Sequence, residues 1–323
     1  MYDVITVGSA TVDAFTNTGS KLFQGSRFRK YVAVPFGTKI VIDDLKFDIG
    51  GGGTNTAVAL SRLGLKVSYI GAIGRGTNSK RVINLLQKEN IDTSFIQNDF
   101  GRTGFSVILD AVGHDRTILT FKGNNDDLNF NKINKSKLKT KWFYFSSMLE
   151  KSFETQKKLA DFAVKNKIKI VYNPSSYLAK KGAKYIQYIL KRTDILILNK
   201  EEAAYLVGKR KPKITLNKLL KLGPKLVVVT DGKNPIYATE GKEIYSLKPS
   251  SIPVLESTGA GDAFASSFLA GIIKKQDIEF ALKLSLVNSQ SVITHYGAKN
   301  KLMKYKEALT KIKNMDVKKE KIN

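Results

Sequence analysis

Apolar positions along the chain follow two rhythms. Beyond residue 140 they form short apolar runs separated by longer amphipathic stretches. The runs at 142–146, 168–172, 194–198 and 226–230 read as strands. The stretches at 153–165 and 182–191, and one opening at Asn199, carry helical spacing. A hairpin is expected at 235–247, then an apolar helix after Asp262 and another from about 278. Regular β–α alternation predicts a doubly wound, mainly parallel sheet with helices on both faces. From Lys301 the pattern reads as a lysine-rich amphipathic helix that frays after Met315, leaving 316–323 as a basic tail.

The first 140 residues break this regularity. A strand at 2–8 ends at Gly8-Ser9, with Asp13 just beyond it, where open α/β sheets place their ligands. A strand at 66–74 and a helix at 79–90 continue the alternation. Two segments do not. Residues 27–47 carry β-rich runs from Tyr31 and from Lys39 around Pro35-Phe36-Gly37. Residues 104–121 read as a hairpin turning at 112–115. With no helix between them, these runs predict a separate small sheet, placed as a lid over the carboxyl ends of the main one. The expectation is one α/β domain over 1–315, with lid strands from about 14–48 and 98–123.

Two glycine stretches interrupt the pattern where helices begin. Gly50-Gly51-Gly52-Gly53-Thr54-Asn55 precedes an alanine-rich helix, so backbone there approaches something closely. Asn55 at the helix start either bonds a ligand or caps the helix. Thr258-Gly259-Ala260-Gly261-Asp262 opens the apolar helix. Unpaired N–H groups and the helix dipole make such a start an anion site. A carboxylate beside it repels the anion, unless Asp262 is there to take a proton from an attacking hydroxyl; the alternative is a plain first-turn acid. Neither stretch has the spacing of a dinucleotide fingerprint or a Walker loop.

Composition narrows the chemistry. The 323 residues contain no cysteine and two histidines, His114 and His295, which excludes disulfides, thiolate sites and a histidine-rich zinc centre. No signal segment opens the chain and no apolar run approaches ~20 residues, so a soluble cytoplasmic protein without membrane partners is expected. The net charge is +26, but only nine basic residues are arginine and 45 are lysine, spread along the chain. Dispersed lysine describes a solvated surface better than a nucleic-acid face, which favours clustered arginine and aromatics.

Taken in order, these motifs resemble the ribokinase-like (PfkB) family of sugar and nucleoside kinases. The first signature matches Gly50–Asn55 followed by Arg62-Leu63-Gly64, and the second matches Thr258–Asp262. Asp13, the lid strands, Asn173-Pro174, Asn199 with Glu202, Thr230 with Gly232, and Asn288 fall in the same order. The resemblance implies Asp262 as base and the backbone of Gly259, Ala260 and Gly261 as anion hole. It implies Asp13, Gly51, Gly52, Asn55, Asn173 and the lid residue Thr103 around the acceptor. Asn199, Thr230, Gly232 and Thr258 would meet the nucleotide phosphates, and Asn288 the adenine. Glu202 would hold Mg²⁺ through water. In relatives the acid at the Glu256 position holds a monovalent cation; glutamate in place of aspartate puts K⁺ activation in question.

The expected activity is phosphoryl transfer from ATP to a hydroxyl of a small sugar or sugar phosphate. A nucleoside kinase is the alternative, for which Phe15, Tyr31, Phe36 and Phe105 would stack on a base. Arg27, Arg29 and Lys39 read as lid surface or as contacts to a substrate phosphate. A non-catalytic nucleic-acid-binding relative is the reading from another class; retention of Asp262 argues against it. A homodimer paired through the lid is a further expectation of the resemblance.

Overall fold

A computed structural model describes residues 1–17, 22–24, 30–32, 36–37, 39, 41–110, 116–295, 297–313 and 315–322. The strands are β1 (Tyr2–Val7), β2 (Thr11–Asn17), β3 (Leu22–Gln24), β4 (Lys30–Val32), β5 (Asp44–Gly50), β6 (Val67–Ile73), β7 (Ile96–Asn98), β8 (Gly104–Asp110), β9 (Arg116–Phe121), β10 (Thr140–Phe145), β11 (Lys169–Tyr172), β12 (Ile195–Asn199), β13 (Leu226–Asp231), β14 (Asn234–Thr239), β15 (Glu243–Leu247) and β16 (Lys318–Lys321). The helices are α1 (Gly52–Arg62), α2 (Thr77–Lys88), α3 (Glu150–Lys165), α4 (Ser175–Ala179), α5 (Ala183–Leu190), α6 (Lys200–Val207), α7 (Pro212–Leu220), α8 (Ala260–Lys275), α9 (Ile278–Ile293) and α10 (Tyr305–Lys311).

Among the described residues the main sheet runs β16-β15-β14-β13-β12-β11-β10-β1-β6-β7. From β13 to β7 every pairing is parallel; the hairpin and β16 add three antiparallel strands at one edge. Successive side chains on a strand point to opposite faces, so each buried run feeds two cores. Val4 and Tyr144 pack with α1, α2, α8 and α9 on one face. Ile5, Phe143 and Phe145 pack with α3, α5, α6 and α7 on the other. That two-sided burial is why the strands read as continuous apolar runs.

The lid is a four-stranded sheet ordered β5-β2-β8-β9. It departs from the expected boundaries in two ways. Asp13 lies within a lid strand, β2, and not in a loop beyond β1, so the lid begins at Thr11. In β2 Val12, Ala14 and Thr16 are buried while Asp13 and Phe15 are half-buried, a two-residue period that the order Phe15-Thr16 hides in the polar–apolar pattern. The second lid strand is displaced from the expected start at Lys39 to Asp44–Gly50, in register with all seven residues of β2. The expected turn at 112–115, with His114, lies outside the described residues, as do Arg27, Arg29 and the Tyr31 side chain; Lys39 is exposed.

The carboxyl end also differs. The last helix covers only Tyr305–Lys311, and Lys318–Lys321 pairs with β15 in place of a frayed tail. Val317 is buried beside it, and Lys319 bonds Glu279 at 2.9 Å and lies over the Tyr245 ring. A lysine-rich edge strand also discourages pairing with another chain. No described helix is long and apolar enough to cross a membrane.

Candidate active site

The site forms where both glycine stretches meet at the carboxyl ends of β1, β10 and β11. In the first turn, neighbouring hydroxyls hold the glycine carbonyls. Thr54 Oγ1 donates to Gly50 O at 2.7 Å, Thr56 Oγ1 to Gly52 O at 2.7 Å and Thr6 Oγ1 to Gly53 O at 3.0 Å. Gly51 sits at φ 98°, and a Cβ there would meet the Ser9 carbonyl. This fixes the start of α1 and aims Asn55 across the site.

The second turn opens α8 with Gly259 in the left-handed region, φ 76° and ψ −4°. Ala298 packs against Gly259 so closely that a Cβ there would come within 2.5 Å of it. The first-turn amides of a helix have no partner inside the helix; at α8 the Ala260 N–H donates to the Ser257 carbonyl at 3.3 Å, and the Gly261 position is uncrowded, since a Cβ there would meet nothing within 4 Å.

Asp262 stands between the turns. Its Oδ2 accepts from Asn55 Nδ2 at 2.9 Å, and its Oδ1 faces Gly52 and a cavity of about 200 Å³. The residue is half-buried and lines that cavity, and burial of its carboxyl pushes it up to about 6 against the hydrogen bond from Asn55 and the charge of Lys299. The cavity is walled by Ser9, Ser146, Ser147, Asn125, Asn173 and Lys122. The hydroxyls of Ser146 and Ser147 are buried without a hydrogen-bond partner among the described residues. Buried polar atoms are rarely left unpaired, so this wall suits a ligand rich in hydroxyls.

The other expected residues divide. Asp13 lies opposite Asp48 in the lid pairing; burial pushes its carboxyl up, and its Oδ1 has no partner among the described residues. Asn173 lines the cavity and donates Nδ2 to Ile197 O at 2.7 Å. Asn199 and Glu202 form a capping box at the start of α6, each bonding the other's backbone N–H at 2.8–2.9 Å. Thr230 pairs with Asn199 across β12 and β13, and Gly232 follows in an open turn. Thr258 donates to Glu256 Oε1, while Gly297 N–H donates to Glu256 Oε2 at 2.6 Å.

Two residues are not brought to the site. Asn288 is fully buried; its amide donates to Ser267 Oγ and accepts from Met303 N–H, so a core position engages both ends of the group expected to meet adenine. Thr103 turns its hydroxyl onto the backbone of Gly74 at the root of the lid instead of toward an acceptor.

Residues beyond the sequence reading also converge here. Lys299, 3% exposed, donates to Asn55 Oδ1 at 3.0 Å. Tyr144 is fully buried with its hydroxyl unpartnered among the described residues; burial, then the charges of Asp262 and Glu202, raise it well above the ordinary tyrosine range. Lys299 is one of 45 lysines and carries no local signal, and Tyr144 reads only as a core strand residue.

Burial also pushes the Glu202 carboxyl up, with the charges of Glu201 and Asp262 adding to it. No cluster of three or more His, Cys, Asp or Glu able to hold a metal occurs among the described residues. A carboxylate that reaches Mg²⁺ only through water requires no such cluster.

Comparison with known proteins agrees with this architecture. The chain matches the pfkB family carbohydrate kinases over residues 4–304. It is 30% identical over 314 residues to a 5-dehydro-2-deoxygluconokinase of Clostridium botulinum, covering 86% of this chain and 92% of that one. It is 26% identical over 307 residues to an ATP-dependent 6-phosphofructokinase of Thermoanaerobacterium thermosaccharolyticum, covering 92% and 89%. A putative ribokinase II from E. coli, solved with ATP and Mg²⁺, superposes with a TM-score of 0.82 at 18% identity over 97% of this chain and 99% of that one, which shows the ribokinase-like fold. The chain belongs to the pfkB family of carbohydrate kinases, phosphotransferases that act on hydroxyl groups.

Proposed function

We propose that the protein transfers the γ-phosphoryl group of ATP to a hydroxyl of a small sugar or sugar phosphate, with Asp262 as base. The observation that carries this reading is the pairing of a raised, cavity-facing carboxylate with the glycine turn that opens α8, uncrowded at Gly261. The acceptor hydroxyl gives its proton to Asp262 Oδ1 as its oxygen bonds the γ-phosphorus. The bond from that phosphorus to the β,γ-bridging oxygen breaks, and ADP leaves. Catalysis of this kind is mostly positioning and charge stabilisation. Asn55 orients Asp262, and the first-turn amides of α8 with the helix dipole stabilise the transferring oxygens. Asn199, Thr230, Gly232 and Thr258 border the donor phosphates in this reading. Glu202 would hold Mg²⁺ through water, which supplies charge neutralisation of the phosphates when bound.

The hydroxyl- and amide-lined cavity favours a polyol over a nucleoside. Among the described residues its one aromatic wall residue is Tyr177, itself 52% exposed, whereas Phe36 is fully exposed. The family includes nucleoside kinases among its structural neighbours, such as adenosine kinase from Sinorhizobium meliloti, so nucleosides belong in the test. The lid's Leu45, Phe47, Leu119 and Phe121 are each about half exposed, which supports a homodimer paired through the lid, measurable by sedimentation.

The test is an ADP-release screen of the purified protein against pentoses, hexoses, sugar acids, their phosphates and nucleosides, with and without K⁺. Turnover of sugars or sugar phosphates is expected. Turnover confined to nucleosides replaces the acceptor class. No ADP release with any acceptor, together with salt-sensitive nucleic-acid binding, overturns the kinase reading.

A further inference from the structure

Burying a lysine is costly unless its charge and its donors are matched. Lys299 is 3% exposed, so its position needs a reason. It follows Gly297 and Ala298 in a loop tied to all parts of the site. Glu256 accepts from Gly297 N–H, Ala298 packs on Gly259, and Arg62 at the end of α1 donates to the Lys299 carbonyl at 2.8 Å. Arg62 is itself clamped by two bonds to Glu89. The backbone therefore sends the Lys299 side chain inward.

Its ammonium lies in the field of groups on four elements. It donates to Asn55 Oδ1 at 3.0 Å on α1 and stands 4.0 Å from Asp48 Oδ1 on β5. Asp13 on β2, directly across the strand pair from Asp48, and Asp262 on α8 also act on it. Two carboxylates side by side in a strand pair repel, and Lys299 is the cation set against both. Arg62 is the other cation near Lys299, while Glu202 and the Tyr144 hydroxyl share the field of Asp262.

The chemistry of the ammonium decides the orientation of Asn55. An ammonium only donates, whereas an amide has a donating and an accepting end. With Lys299 on the carbonyl end, the NH₂ end must face Asp262, as it does at 2.9 Å. Without Lys299 the amide is free to flip and set its oxygen against the carboxylate.

We propose that Lys299 is a positioning residue for phosphoryl transfer: it locks Asn55 in the one orientation that donates to Asp262 and is the fixed countercharge of the Asp13–Asp48 pair. The inference rests on the kinase reading above. It assigns a role to a residue outside both glycine motifs. Burial draws the Lys299 ammonium below the ordinary lysine range, and the three aspartates hold it up. Losing its charge would therefore make Asp262 harder to ionise.

The test is the pH profile of kcat/KM for Lys299→Met, Lys299→Gln and Lys299→Arg. The acid limb of Lys299→Met should move up by about one pH unit, the size a neighbouring charge produces, giving about a tenfold loss below pH 6. Lys299→Gln keeps a donor but no charge and should also shift; Lys299→Arg should return the limb toward its original position. A lowered melting temperature with an unmoved acid limb would mean that the lysine is only structural and overturns the proposal. A second readout uses the unaltered protein and needs no turnover. The ¹⁵N resonances of Lys299 Nζ and Asn55 Nδ2 should both move as Asp262 titrates near pH 6. Resonances that ignore that titration overturn the proposal even where the variants do not fold. If coupling is seen but no acceptor is phosphorylated, the kinase reading fails and the role in phosphoryl transfer with it, while the Lys299–Asn55–Asp262 coupling stands.

Discussion

The two glycine turns look alike as sequence and differ in what makes them glycine. At Gly53 an added Cβ would meet the Gly8 backbone at 2.6 Å and the Tyr69 ring at 2.7 Å. The first turn is packed against its own protein, with its carbonyls tied to threonines. At Gly261 an added Cβ meets nothing. In the proposed reaction that space takes the transferring group. Gly53 is glycine for the fold, as is Gly259 beneath Ala298, whereas no packing demands glycine at Gly261, and substitution should separate Gly53 from Gly261.

The largest effect is expected at the residue between the turns. Asp262→Asn should cut kcat by 10²- to 10⁴-fold, the usual worth of a positioned base, with nucleotide binding retained by calorimetry. The same change should stabilise the fold. The Asp262 carboxyl is raised from 3.8 to about 6, so the stability tied to its neutral form is present at low pH and lost as pH rises through about 6. At ~1.4 kcal/mol per pKa unit, and discounting for water reaching it through the cavity, the asparagine variant should gain ~2 kcal/mol at pH 8 in denaturant melts. A melting point that falls there contradicts the desolvated-base account.

Gly53→Ala should break the packed turn, costing ~2–3 kcal/mol by overpacking, with turnover of the surviving folded fraction largely preserved. Gly261→Ala should do the reverse. Stability stays within ~1 kcal/mol of the original, on the favourable side because alanine is the better helix former. Turnover drops about 10- to 10²-fold, as the methyl group enters the space of the phosphoryl oxygens. Equal stability losses in the two variants would erase the distinction. The smallest effect is on the unaltered protein: kcat/KM should fall tenfold per pH unit below about pH 6, where Asp262 takes up a proton. A flat profile from pH 5 to 8 would assign the base elsewhere.

The fold was legible where burial is two-sided. The runs that became β10 to β13 are continuous and bounded, and no other arrangement hides both faces. The lid was less so. Its strands bury one face, Phe15 and Thr16 break the polar–apolar alternation around Asp13, and β16 (Lys-Lys-Glu-Lys) has no hydrophobic pattern at all. Its strand character comes from the open edge of β15 and the contacts of Lys319 with Glu279 and Tyr245. In the site, Asp262 and Asn55 were legible because glycine spacing marks helix starts. Asn288 misled because an asparagine in an apolar helix looks the same whether its amide meets a ligand or, as here, Ser267 and Met303.

What the sequence determined by itself was local: strand and helix rhythm, two turns that only glycine permits, and an acid at a helix start. Those follow from backbone sterics and from the period of apolar positions, and both act within a few residues. What tertiary structure decided was which polar groups lose their water together. Lys299 and Asn55 are 244 residues apart, and among 45 lysines nothing in the chain marks the one that is buried. Its charge matters because folding removes solvent from it and sets three aspartates around it. Desolvation of that kind belongs to the assembled volume, not to any segment of the chain.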